Sequence, residues 1–147
     1  MNRFDVTEQI IAAKIKKGLK WKDLAAVIGA SKEWATAALL GQMTLTKTQA
    51  EAVGKTLGLS EEAVALLQVA PYKGSIPTAV PTDPLMYRFY ELVSVYGTTL
   101  KALIHEEFGD GIMSAIDFDM DLQRLPNEKG DRVKIVMTGK FLPYKTY

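Results

Sequence analysis

A chain of 147 residues has room for one ordinary domain, or for a small domain joined to an interaction module, but not for two large enzyme domains. Hydrophobic residues make up 48% and charged residues 24%, a globular balance that excludes wholesale disorder. A formal net charge of +1 advertises no polyanionic partner, and the lack of cysteine excludes a disulfide scaffold, a thiol nucleophile and a thiolate zinc site.

The opening Met1-Asn2-Arg3-Phe4-Asp5 leads into an amphipathic stretch with Lys14, Lys16 and Lys17. It has neither the apolar core of a secretion signal nor a membrane-length apolar run, so a soluble protein of the cytoplasm is expected. Thr7 is expected to cap a first helix containing Ile10, Ile11 and Ile15, which Gly18 interrupts. Helical spacing resumes over residues 21–28 and stops at Gly29. Ser31 offers an N-cap for residues 32–40, closed by Gly41. Thr46 and Thr48 precede an amphipathic stretch through Leu57, and Ser60-Glu61-Glu62 opens a last one through Val69. Five short helices make a compact bundle over residues 1–70.

Residues 21–40 resemble in spacing the helix-turn-helix of repressor-like regulators. A DNA-reading helix needs side chains that reach phosphates and base edges. The second helix here offers only Lys32, Glu33 and Thr36 among Trp34, Ala35, Ala37, Ala38, Leu39 and Leu40, a surface suited to packing.

Pro71, Pro77, Pro81 and Pro84, with Gly74 and Ser75, then make a continuous helix impossible, so residues 71–84 read as a linker. A third region, residues 85–147, begins with Thr82-Asp83-Pro84 as its helix start; Leu85, Phe89, Leu92 and Val93 keep helical spacing up to Tyr96-Gly97. A second helix is expected from Thr98 or Thr99 to Phe108, ended by Gly109-Asp110-Gly111. Phe118, Met120 and Leu122 then alternate with acidic and amide residues, as in a strand; a turn over residues 126–130 leads to a second alternating run, Val133, Ile135 and Met137. A lone hairpin is marginal in water because it leaves its apolar face and its edges uncovered. The expected remedy is a homo-oligomer in which the C-terminal halves of two copies interlock.

Arg88 and Glu91 lie three residues apart on one helix face. They make either a solvated ion pair or a guanidinium held ready for a small anion by its carboxylate neighbour. Ser114, just past a glycine-bearing turn, is either a capping hydroxyl or a donor to substrate. A serine-hydrolase triad is excluded, because the only histidine, His105, has no diagnostic spacing from Ser114. His105, Glu106 and Glu107 point apart on a helix and do not converge on a metal; Asp117, Asp119 and Asp121 share one strand face and read as a solvated one rather than a calcium site. Gly109-Asp110-Gly111 lacks the lysine and spacing of a phosphate-binding loop.

The stretch Pro81-Thr82-Asp83-Pro84-Leu85-Met86-Tyr87-Arg88-Phe89-Tyr90-Glu91, then Val95-Tyr96-Gly97-Thr98-Thr99-Leu100-Lys101-Ala102, His105-Glu106 and Phe108-Gly109-Asp110-Gly111-Ile112-Met113-Ser114-Ala115-Ile116, resembles the signature of the cyanase (cyanate lyase) family. The likeness continues through Gly139-Lys140-Phe141-Leu142-Pro143, and the helical bundle is also what that family carries. The resemblance implies a mainly α fold with a small β part: an N-terminal repressor-like bundle and a C-terminal α+β dimerisation domain with intertwined strands. It further implies Arg88, Glu91 and Ser114 as catalytic residues, cyanate and bicarbonate as substrates, no cofactor or metal, and dimers assembled into a decamer. Two other readings stand beside it. One is a DNA-binding regulator with a C-terminal dimerisation or ligand-sensing domain; the other is a catalytically silent assembly protein.

Overall fold

The structure is a computed structural model that describes residues 1–146; Tyr147, the end of the expected C-terminal region, lies outside the described residues. In chain order the described residues form α1 (Arg3–Lys16), α2 (Trp21–Ile28), α3 (Lys32–Leu39), α4 (Lys47–Leu57), α5 (Glu61–Leu66), α6 (Pro84–Phe108), β1 (Gly111–Leu125) and β2 (Arg132–Pro143). They divide into two compact units, Met1–Ser75 and the described residues from Ile76 onward. The mainly α composition with a small β part is as the sequence implied.

The first unit is built from capped helices around a shared core. Ser31 Oγ accepts the Trp34 N–H at the start of α3, Thr46 Oγ1 accepts Gln49 N–H at α4, and Ser60 Oγ accepts Ala63 N–H at α5. Gly29 and Gly58 end α2 and α4 in the left-handed conformation, which a side chain resists. Val6, Ile10, Leu24, Leu39, Leu45, Val53 and Leu67 are fully buried between the helices. The start of α1 differs from expectation. Its cap is Asn2, in a reciprocal capping box with Asp5, while Thr7 lies inside the helix and donates its hydroxyl to the Arg3 carbonyl. Thr7 satisfied the cap preference by residue type, but the Asn2 and Asp5 pair satisfies two free N–H groups together.

The helices of residues 21–40 pack rather than present. In α3, Ala35, Ala38 and Leu39 are buried, and Lys32 pairs with Glu33. Arg3 Nη2 donates to the Ala38 carbonyl at 2.7 Å, tying the start of α1 to the end of α3; burial pulls the Arg3 pKa below its ordinary value. The proline-rich stretch begins by binding back to this unit. Lys73 Nζ donates to the Gln42 carbonyl at 2.6 Å, and the Gly74 N–H to Gln42 Oε1 at 2.7 Å.

In the second unit Asp83 caps α6 by accepting the Leu85 and Met86 N–H groups, with Pro84 in the first turn. The two helices expected on either side of Gly97 are one. Gly97 is an isolated glycine without positive φ, and no proline follows it; such a residue weakens a helix without ending it. Gly109, with φ of 90°, does end it. β1 and β2 then pair antiparallel, with Met120 opposite Met137 and Leu122 opposite Ile135. The connecting turn is closed by the Gly130 N–H to the Asn127 carbonyl and by Asn127 Oδ1 accepting the Lys129 N–H. No residue of α6 is buried. Many apolar side chains of this unit, among them Leu85, Phe89, Val93, Leu103, Val133 and Met137, stand exposed.

A continuous α6 predicts the response to Gly97→Ala. An added Cβ would meet only Val93 Cγ1, at an ordinary 3.6 Å, so alanine should raise the thermal midpoint by an amount corresponding to about 0.5–1 kcal/mol. A helix break at this position would give a lowered midpoint instead.

Candidate active site

Arg88 and Glu91 sit in the first turns of α6. Arg88 Nη1 lies 3.0 Å from Glu91 Oε2, with the two side chains 66% and 50% exposed. The guanidinium carbon stands 5.7 Å from the Tyr87 ring centroid, and the Tyr87 and Tyr90 rings are 5.9 Å apart. An exposed helical ion pair of this kind stabilises a fold by under about 1 kcal/mol. Its chemical interest lies elsewhere: a guanidinium held by one carboxylate keeps free N–H groups for a second oxyanion.

Ser114 occupies a different setting from the one expected. It lies not just beyond a turn but inside β1, which begins at Gly111, and it is only 5% exposed. The pairing is interrupted there. Met113 faces Phe141 and Phe118 faces Gly139, so residues 114–117 of β1 oppose the single residue Lys140 of β2. The bulge throws Ile116 almost wholly into solvent, at 98% exposure, and turns Ser114 inward. Asp117 falls within the bulge, so of the three aspartates only Asp119 and Asp121 stay in the regular ladder.

Inside the bulge, Ser114 Oγ accepts the N–H groups of Ile116 at 3.0 Å and Asp117 at 2.9 Å. A hydroxyl has two acceptor sites and one proton. With both acceptor sites occupied, Ser114 is left as an oriented donor, suited to an anion and unsuited to nucleophilic attack. This agrees with the absence of a triad inferred from the sequence. No group of three His, Asp or Glu residues among the described residues is placed to hold a metal ion.

The structure brings Arg88 and Glu91 together but joins neither to Ser114. The helical rise from Arg88 to Phe108 is about 30 Å. The six residues from Phe108 to Ser114 retrace at most about 20 Å even when fully extended. No hydrogen bond or ion pair among the described residues links Ser114 to Arg88 or Glu91. Sequence reading named Gly111 and Gly139 but missed the bulge and the close backbone approach at both glycines. The signal for Gly139 was available, since an isolated glycine in an alternating strand marks a bulge or a close backbone approach.

Fold and site together define a two-part protein: a helical unit followed by an α+β unit that carries an exposed Arg88–Glu91 pair on its helix and a buried Ser114 hydroxyl in its hairpin bulge. Comparison with known proteins makes this specific. Residues 78–146 match the model of the cyanate lyase C-terminal domain, and residues 3–71 match that of the cyanate hydratase N-terminal region. A cyanate hydratase of Ralstonia pickettii is 76% identical over the whole of both chains, and one of Dechloromonas aromatica 73%. The crystal structure of cyanase from T. urticae superposes with a TM-score of 0.82 at 43% identity, covering 95% of this chain and 97% of that one. The chain belongs to the cyanate lyase family. These likenesses do not favour a DNA-binding regulator, and neither does the packed α3.

The Ser114 geometry has a measurable consequence. Ser114→Ala removes the acceptor of two N–H groups and should cost about 1–3 kcal/mol. Amide exchange at Ile116 and Asp117 should accelerate by at least an order of magnitude while Met120 and Leu122 stay protected. Unchanged exchange at those two amides would contradict the bonding described.

Proposed function

We propose that this protein decomposes cyanate with bicarbonate, using Arg88, Glu91 and Ser114, at sites completed by other copies of the same chain. One observation carries the choice of reaction: the likeness to proteins named cyanate hydratase runs the full length of the chain at 76% and 73% identity. In this reading a bicarbonate oxygen attacks the cyanate carbon. With uptake of one proton, the adduct loses carbon dioxide and leaves carbamate; carbamate takes up a second proton and gives ammonia and carbon dioxide. Bicarbonate is consumed as a substrate, and no protein nucleophile, metal or cofactor takes part.

The physical obstacle is the meeting of two anions. At about 4 Å their repulsion is about 4 kcal/mol for an effective dielectric constant of 20, comparable with what one guanidinium returns to each of them. Arg88 alone would therefore suffice on charge, but Glu91 cancels most of its field. Neutral donors and further guanidinium groups must supply the rest. Arg88 clamps the anions and stabilises charge on the adduct, Ser114 fixes the position of one anion through its hydroxyl, and Glu91 orients Arg88.

The exposed apolar surface of α6 and the hairpin supports a site shared between copies, as does the placement of Arg88 and Ser114 on different elements with no bond between them. We take the assembly to be a decamer built from dimers whose C-terminal units intertwine. The same reading places the protein in the cytoplasm, with no nucleic acid or membrane as partner. No helix among the described residues is long and apolar enough to cross a membrane.

Ammonia release from cyanate should require bicarbonate and should fall at least a hundredfold in Arg88→Ala. Arg88→Lys should recover little of it, because an ammonium cannot reproduce the planar fork. Bicarbonate-independent release, or full activity of Arg88→Ala, would refute the reading.

A further inference from the structure

We propose that Gly139 is a positioning residue for Ser114: its missing side chain lets β2 run directly beneath the bulge that aims the Ser114 hydroxyl. A Cβ built on Gly139 would lie 2.3 Å from the Ser114 carbonyl oxygen and 2.6 Å from Met113 Cγ. Ordinary contact begins near 3.4 Å, so a methyl group here must displace something by about 1 Å. The nearer atom is backbone, so a change of rotamer cannot relieve the clash.

Glycine is not needed at 139 for its backbone conformation. Its φ is not positive, unlike that of Gly109 or Gly130, and any residue could adopt it. The requirement is purely the close approach of two chains. That approach occurs where pairing changes register, with Gly139 opposite Phe118 and Ser114 on the far side of the bulge. The same carbonyl that would meet the methyl group belongs to the residue whose Oγ holds the Ile116 and Asp117 N–H groups. Pushing it outward by about 1 Å would swing the donor away from the anion, and a shift of that size costs about a hundredfold in rate at a preorganised site.

This inference rests on Ser114 belonging to the site proposed above, and the test separates the two. Wild-type protein, assayed for ammonia release from cyanate with bicarbonate, tests the site reading alone. Amide exchange at Ile116 and Asp117 without substrate tests the effect of Gly139 alone. In the full chain, Gly139→Ala should exchange both amides faster and lose about a hundredfold in kcat/KM. Gly54→Ala serves as the structural control. Its Cβ would meet Val64 Cγ2 at 2.4 Å between α4 and α5, so it should lower the thermal midpoint and leave kcat/KM of the folded protein unchanged.

Because Gly139→Ala also meets the Met113 side chain, the double variant with Met113→Ala removes the side-chain part of the clash and leaves the carbonyl part. It should assemble as wild type does and remain impaired. Wild-type kcat/KM in either variant, loss of activity with both amides still protected, or failure of both variants to assemble would overturn the proposal.

Discussion

A helix of 25 residues and a two-stranded hairpin leave much of their apolar faces uncovered, and the described residues of the second unit form no other helix or strand. The contrast within the chain is plain. In the first unit Ile10, Leu24 and Leu39 are sealed from solvent by neighbouring helices, whereas α6 has no buried residue at all. Each large apolar side chain left in water forgoes about 1.5–3 kcal/mol. With Leu85, Phe89, Leu92, Val93, Leu100 and Leu103 all exposed on one helix, the forgone stabilisation is comparable with the whole stability of a small domain. We take the missing cover to be the same unit of another copy, since a second hairpin could pair with the open sheet edges and a second helix could cover the apolar face.

The same constraint shapes the chemistry. A single chain holds an arginine fork on one element and an oriented hydroxyl on another, and no hydrogen bond or ion pair among the described residues joins the two. In the proposed assembly, burying apolar surface and gathering donors would happen in one step, which would couple stability to activity. The exposure of Arg88 in the isolated chain then changes meaning. An ion pair that contributes little in water acts much more strongly on charge once a neighbouring copy excludes that water.

Much of this was readable from the residues. Ser31 was legible as a cap and Gly29 as a stop, and Thr46, Ser60 and Asp83 fell in stretches legible as helix starts, because capping is decided within four residues of sequence. Thr7 misled because its type suits a cap, while the reciprocal bonding of Asn2 and Asp5 settled the position. Gly97 misled because a lone glycine lowers helix stability without supplying a stop. The setting of Ser114 was beyond local reasoning: its bulge exists only because β2 pairs on both sides of it, from Phe141 to Met113 and from Gly139 to Phe118. The roles of Arg88, Glu91 and Ser114 came from the family signature, since their spacing alone fitted an ordinary surface pair and a turn hydroxyl equally well.

Complementation between inactive variants tests the shared site most directly. Arg88→Ala and Ser114→Ala chains, each inactive when assembled alone, would be unfolded together, refolded as mixed assemblies and assayed for bicarbonate-dependent ammonia release. A site built from several copies predicts that activity returns on mixing, because some sites then draw an intact Arg88 from one chain and an intact Ser114 from another. Mixed assemblies as inactive as their parents would contradict it and place the whole site within a single chain.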